Sequence, residues 1–400
     1  MSVVPVGVDP PPGDQISVVA VDMDAHTPLG WPGMAMVDQH SALIIGRNTR
    51  ENVDNCVIVS LGPGCELRSE VVPSPIDDDI YAITATRVGG SVLIFGGFND
   101  DTDDPTPCNN TLWEFCRGCH QWRKVPHPEG ADWPQERCNH VAVEMDGQLL
   151  IVGGFDNNLF SLCDTWLFDT HTENWTRFPD PPIDVVGCAA QVVNGALHLF
   201  GGYKHQRMHL VLTTNQEGVP VWTQEPDMPI KALYSASVVL GQFIVLMGGF
   251  RHQDGIHAFD TVTGEWQCWG KMPKEFFYGR ATLLAPNVAY LHSTAGAMMA
   301  SIDQSLVYPH YNVHRWAYST PHRLVVRDGT DPGTPPPGEG PPAPGVNMND
   351  ADLDESSSDM EVDRDDEISS MVDSDDSDMD GGGKVIQEGA PEGAVFSDPM

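Results

Sequence analysis

The chain reads as an all-β protein of six repeated units, each built from four short strands, with the units closing into a ring. Three observations carry that reading. An apolar run ending in a glycine doublet recurs at Gly96-Gly97, Gly153-Gly154, Gly201-Gly202 and Gly248-Gly249, with a weaker copy at Gly46-Arg47 and a substituted one at Ser293-Thr294. A Trp follows each clear doublet (Trp122, Trp175, Trp222, Trp266), and a hydrophobic-Pro pair follows each Trp: Val125-Pro126, Phe178-Pro179, Met228-Pro229 and Met272-Pro273. Gly and Pro are abundant, at 39 and 33 of 400 residues, and no long stretch has helical periodicity, so turns and strands dominate.

The stretch from Asn139 to Pro182 shows one unit in full. Val141, Val143 and Met145 alternate, Asp146-Gly147 makes a turn, and Leu149 to Val152 runs into Gly153-Gly154-Phe155. After a loop come Thr165 to Phe168, a polar turn from Asp169 to Glu173, and Trp175 leading to Phe178-Pro179. The register repeats elsewhere. Trp113 to Trp122, Trp166 to Trp175 and His257 to Trp266 each span nine positions, with Phe115, Phe168 and Phe259 in step. A glycine doublet ending a buried strand lets another backbone approach and tolerates positive φ. The Trp and the aromatic after the doublet supply apolar area between neighbouring sheets.

A self-similarity of roughly 50 residues carrying these residues resembles the kelch-repeat family, over about Trp31 to Ala317. The resemblance implies a six-bladed β-propeller of four-stranded blades, and by itself implies no activity. Counting Gly46, Gly96, Gly153, Gly201, Gly248 and Ser293 gives six blades, with Trp122, Trp175, Trp222 and Trp266 expected between them. Both terminal copies are expected to carry four strands of their own. The apolar run Ile16 to Val21 then has two readings, an extra strand that closes the ring or an ordered edge segment. The expected domains are an N-terminal segment, 1–30, partly disordered; the propeller, 31–328; and a disordered Pro/Gly linker with an acidic Ser/Asp-rich tail, 329–400.

Charge separates the two parts of the chain. There are 57 acids against 21 Lys and Arg, a net −36, and residues 331–400 hold 20 acids against Arg364 and Lys384, a net −18. Such a segment repels itself and cannot bury enough apolar surface to fold. The balance argues against nucleic-acid binding, which needs cations to neutralise phosphates. No stretch approaches the length of a membrane span and no secretion signal is visible. Nine scattered cysteines favour a reducing compartment, so a cytoplasmic or nuclear location is expected.

The motifs that suggest chemistry each have a plainer reading. Cys116-Arg117-Gly118-Cys119-His120 spells a haem-attachment motif, and a Cys/Cys metal or redox site is a second reading. In the repeat register, however, these residues fall on Asp169 to Glu173, the tip of an outer hairpin, where a plain turn suffices. Asn99 to Asp104 has oxygens at alternate positions like a calcium loop, but lacks the loop's Gly and its terminal Glu, and is read as a solvated acidic loop. No nucleophile motif or metal-spaced His pair is present, so no catalytic residue, cofactor or metal is expected. Ser356, Ser358, Ser370 and Ser377 each have an acid three positions later and are candidate phosphorylation sites.

Loops between second and third strands share a face with the loops joining successive blades, and function in such folds sits on loops. That face gathers Arg47, Arg50, Trp133, Lys204, Arg207, Tyr234, Arg251, Phe277, Tyr278 and Arg280, with Lys231, His205, His252 and Phe276 nearby. Mixed Arg and aromatic residues are typical of protein interfaces. The expected function is protein–protein interaction through this face, as a scaffold or adaptor, with an acidic regulatory tail that makes a weak, salt-sensitive contact with the same face. Two alternatives stand beside it: an enzyme acting on a small sugar-like or organic substrate in the central cavity, and a tail that itself masks a basic partner.

Overall fold

A computed structural model describes residues 16–21, 30–47, 56–63, 66–76, 80–99, 107–250, 254–293 and 296–302. All of them belong to the first of the two units into which the chain divides, Met1–Thr330. Arg50, Arg251, His252, most of the acidic loop after Asn99, and the tail with Ser356, Ser358, Ser370 and Ser377 lie outside the described residues.

The described residues form six antiparallel four-stranded sheets. Blade 1 runs from Gly30–Met36 to Leu67–Val71, blade 2 from Thr84–Val88 to Gln121–Lys124, and blade 3 from Val141–Met145 to Asn174–Phe178. Blade 4 runs from Ala189–Val193 to Pro220–Gln224 and blade 5 from Ala236–Leu240 to Trp266–Lys271. The turns stand where the sequence places them. Asp146-Gly147 and Asn194-Gly195 join first to second strands with both residues at positive φ, the geometry whose twist suits a tight hairpin. No helix among the described residues is long and apolar enough to cross a membrane.

The ring closes through the chain's own beginning. Blade 6 holds Arg280–Ala285, Val288–Ser293 and Gly296–Ile302, and its outer strand is Ile16–Val21, paired antiparallel from Ile16↔Ile302 to Val21↔Ala297. This corrects the expectation that the last copy supplies all four of its strands. The reason is visible in the run's composition: Ile16 and Val18 pack into the core shared with blade 5, while Val19 and Val21 pack into the core shared with blade 1. A strand with apolar groups on both faces suits a position sandwiched between two sheets.

One apolar core lies between each neighbouring pair of blades. Between blades 6 and 1, Leu284, Tyr290 and Met299 meet Ala42, Ile44 and Val59, so the ring is complete. The repeating Phe–Trp pairs face each other across the outer hairpins, with ring centroids at 4.8 Å for Phe115–Trp122, 5.0 Å for Phe168–Trp175 and 5.1 Å for Phe259–Trp266. Trp175 is buried as expected, but Trp122, Trp222 and Trp266 are only half-buried. Two of these indoles turn an edge toward the preceding blade: Trp122 Nε1 donates to the carbonyl of Pro73 at 2.7 Å and Trp222 Nε1 to that of Pro179 at 2.8 Å. In blade 5 the deepest indole is Trp269, in the core shared with blade 6.

The glycine doublets act as clamps between blades. The first glycine of each has φ between 62° and 67°. The second donates its N–H to a carbonyl in the loop leading to the next blade: Gly97 to Arg137 at 2.9 Å, Gly154 to Val185 at 2.8 Å, Gly202 to Ala232 at 2.9 Å and Gly249 to Phe276 at 2.8 Å. A Cβ on the first glycine would run into the same carbonyl oxygen in every case. Next to one clamp lies a buried ion pair. Arg137, fully buried, donates to Asp164 with Nη1 and Nη2, both at 2.7 Å, and to the carbonyl of Gly153 at 2.8 Å. Burial pushes the Asp164 carboxyl up, but the Arg137 hydrogen bonds and charge more than offset this and hold it below the usual range.

Gly201→Ala should lower stability by on the order of 3 kcal/mol in denaturant unfolding. Gly195→Ala, at similar φ with open space around its Cβ, should cost only about 1–2 kcal/mol; equal losses would refute the clamp. Asp164→Asn should cost about 3–5 kcal/mol at neutral pH by leaving Arg137 without its counter-charge. Because the carboxyl's folded pKa is depressed, its contribution is complete above the unfolded value near 4 and fades as pH falls through the folded one. The gap between wild type and variant should therefore narrow below about pH 4; a gap independent of pH would exclude the ion pair as its source.

Candidate functional site

One residue per blade stands two positions before the continuous pairing of the inner strand, in blade 1 within the bulge between Gly30 and Gly33, and adopts a left-handed backbone. These are Trp31, Ala82, Asn139, Gly187, Tyr234 and Tyr278, with φ from 35° to 65°. Five of the six are not glycine, and such a conformation costs an L residue about 1–2 kcal/mol. What holds them is a chain of backbone hydrogen bonds around the channel. Ala82 N–H donates to Trp31 at 3.2 Å, Asn139 to Ala82 at 3.2 Å, Gly187 to Asn139 at 3.1 Å and Tyr234 to Gly187 at 2.9 Å. The residue before each of three ring positions accepts from the aromatic after its own blade's doublet: Cys138 from Phe155, Val186 from Tyr203 and Leu233 from Phe250, at 2.8–2.9 Å.

Side chains at these positions crowd the mouth of the channel. Trp31 stacks on Tyr278 with centroids 3.7 Å apart and planes 15° apart, and Tyr234 lies 4.5 Å from Tyr278. The Tyr234 ring also covers Gly187, where a Cβ would meet it at 2.5 Å. The ring residues, with His140, Cys188 and Arg280, border a cavity of about 20 Å³, room for a water molecule or two. Burial holds the His140 imidazole well below its ordinary pKa, and its Nε2 lies 2.8 Å from Thr84 Oγ1. Burial also pushes the Cys188 thiol up to about 12 and raises the Tyr234 phenol. These groups are uncharged at neutral pH, so the cavity offers neither a thiolate nor a protonated imidazole. It can hold a small polar species.

Around the mouth, ring contacts continue outward. Tyr81 lies 5.5 Å from both Trp31 and Phe98, and Phe250 lies 5.6 Å from Tyr278 and 6.4 Å from Phe277. Trp31, Tyr81, Phe98, Phe250 and Phe277 are half-buried, and Phe160, on the loop after the blade 3 doublet, is 55% exposed. Three of the cations expected on this face are anchored. Arg47 lies over the Tyr81 ring at 5.7 Å, Lys204 pairs with Asp184 at 2.6 Å, and Arg207 Nη1 donates to the carbonyls of Met228 and Pro229. Trp133 stacks on His127 and donates its Nε1–H to Asn110 at 2.9 Å.

The expected site residues therefore fall into two groups. Tyr234, Tyr278 and Arg280 converge on the cavity, with the first two buried. Arg47, Lys204, Arg207 and Phe277 stay on the rim. Trp31, His140 and Arg137 did not stand out from the sequence, because no residue type recurs at their positions. A recurring spacing of two residues before each inner strand was the available signal. Cys116 to His120 forms the tip of an outer hairpin, and His120 shares its positive φ with Glu173, as the repeat register implies. Arg117 at that tip pairs with Asp38 of blade 1. Among the described residues, no group of three or more His, Cys, Asp or Glu is placed to hold a metal ion.

Comparison with known proteins bears on the repeat. Residues 82–285 match the family model described as the KLHDC2/KLHL20/DRC7 Kelch-repeats domain. The chain is 26% identical to Beta-scruin of Limulus polyphemus over 137 residues, 32% of this chain and 13% of that protein. It is 25% identical to Kelch domain-containing protein 10 of Xenopus tropicalis over 141 residues, 34% of this chain and 33% of that one. Each match thus spans a third or less of the curated relative's length. Among solved structures, that titled "Structure of YjhT" superposes with a TM-score of 0.56 at 14% identity, covering 69% of this chain and 93% of the other, a likeness of fold. With the six blades, the doublet clamps and a family model matched over half its length, the chain belongs to the kelch-repeat family.

Proposed function

We propose that this protein is an interaction module that binds a protein partner through the face carrying the aromatic rim, as a scaffold or adaptor. The observation that carries the reading is the continuity of rings from Phe98 through Tyr81, Trp31 and Tyr278 to Phe250 and Phe277. Partly exposed aromatics on a rigid frame offer large contact area at little entropic cost. Kelch-repeat propellers generally act as protein-interaction modules, which supports the same reading. A small-substrate enzyme is disfavoured by the cavity, whose volume of about 20 Å³ is far below the several hundred usual for small-molecule sites. No disulfide joins two of the described cysteines, in keeping with a reducing compartment, cytoplasmic or nuclear.

The acidic segment 331–400 is assigned a regulatory role: a weak contact with the cationic part of the rim, strengthened by phosphorylation at Ser356, Ser358, Ser370 or Ser377. Exposed charge pairs are worth at most about 1 kcal/mol each and are screened by salt, so the contact is partial.

The test is to identify proteins retained by the full chain and map each complex by hydrogen–deuterium exchange. Protection should centre on the loops bearing Phe98, Phe160, Phe250 and Phe277, and Phe160→Asp should weaken binding about tenfold with little change in Tm. Protection confined to the outer hairpins would overturn the reading. For the tail, deleting residues 331–400 should leave Tm nearly unchanged and strengthen partner binding at low salt. Equal affinity with and without the tail at low salt would remove the regulatory role.

A further inference from the structure

We propose that the central cavity is a binding site for a single small inorganic anion, of halide or small-oxyanion size, held by Arg280 and Tyr234. The first observation is one of position. Arg280 stands two residues after the ring residue of its blade, and the corresponding residues elsewhere are Gly33, Thr84, Val141, Ala189 and Ala236. Five blades place a small or uncharged side chain there, and the sixth brings an arginine to the cavity wall.

The second observation is the missing counter-charge. Arg280 is half-buried, with part of its surface on the cavity, and is deep enough in protein that burial lowers its pKa. Its Nη1 donates to the carbonyl of Gly279 at 3.3 Å. Among the described residues no carboxylate pairs with it. The other enclosed arginine, Arg137, is met by both oxygens of Asp164. A cation taken out of water is costly until an opposite charge joins it.

The third observation is a donor left over. Tyr234 is 4% exposed, lines the same cavity and has no hydrogen-bond partner for its hydroxyl. A buried hydroxyl without a partner has given up its hydration with nothing in return. Its phenol is within electrostatic reach of Arg280. His140, also on the cavity wall, has its Nε2 engaged by Thr84 and its Nδ1 without a partner.

An anion here would satisfy the guanidinium and the phenol together, joining blades 5 and 6 beside the plug of Trp31 and Tyr278. Size sets the class. A volume of about 20 Å³ accommodates chloride, bromide or nitrate and excludes sugars and peptides. Because the ligand would bind only the closed ring, it should stabilise the fold by mass action.

The experiment uses the full chain. Thermal unfolding is followed at constant ionic strength while sodium gluconate, whose anion is too large for the cavity, is exchanged for sodium bromide, chloride or nitrate. Wild type should gain about 2 °C or more in Tm, with saturation. Arg280→Met should lose the gain and Tyr234→Phe should reduce it. The same rise in Arg280→Met, or no rise in wild type, overturns the proposal. Should Arg280→Met fail to fold, bromide-soaked crystals of wild type decide the matter. An anomalous peak against Arg280 and Tyr234 supports the site, and water alone in the cavity refutes it.

Discussion

The fold depends on one hydrogen bond repeated from blade to blade: the N–H of the second doublet glycine donating to the carbonyl of the loop that leads into the next blade. Sheet packing alone fixes a distance between neighbouring blades. It does not fix their rotation, since apolar contact is non-directional. The clamp adds direction at the inner end of the four interfaces from blade 2 to blade 6, where the loop carbonyl lies so close that only glycine leaves room. The sequence spends two glycines per blade, with their entropic cost in the unfolded chain, on four nearly identical contacts.

Once the loop is clamped, its next residues have little freedom. At Asn139, Gly187 and Tyr234, two positions beyond a clamped carbonyl, the backbone is left-handed and the N–H reaches the ring carbonyl of the preceding blade. The strain is imposed by the frame, and the ring hydrogen bonds offset it. That explains why Asn, Gly and Tyr occupy the same conformation at these positions: the backbone is determined from outside, so the side chain is left free to vary. Strained positions held by their surroundings are a common setting for recognition. Here they determine what closes the channel and what faces outward from its rim.

The same division explains what could be read in the sequence. The doublets, the Phe168–Trp175 type of pair and the Asp146-Gly147 turn are written in residue type, because each needs a specific size or φ. They recur and gave the number of blades. The ring positions need only a backbone shape, which Trp31 and Ala82 adopt equally, so no recurring letter marks them. Arg280 reads as one more surface cation until the fold brings it to the cavity. Tyr234 and Tyr278, grouped by composition with the rim, are buried at the mouth for the same reason: sequence shows an aromatic residue but not which side of a loop it covers.

Closure required knowledge that no single repeat contains. Ile16–Val21 pairs with Gly296–Ile302 across nearly the full length of the propeller, so its partner is as distant in sequence as the fold allows. Bringing such ends together carries the loop-closure entropy of a long chain. The strand offsets that cost by entering two cores at once, with Ile16 and Val18 on one side and Val19 and Val21 on the other. A ring fastened this way is cooperative. Releasing the clasp would uncover parts of both cores, where Ile16 and Val18 face blade 5 and Val19 and Val21 face blade 1. The first strand, which lies before the first recognisable repeat, thus completes the sheet whose inner strand carries Arg280.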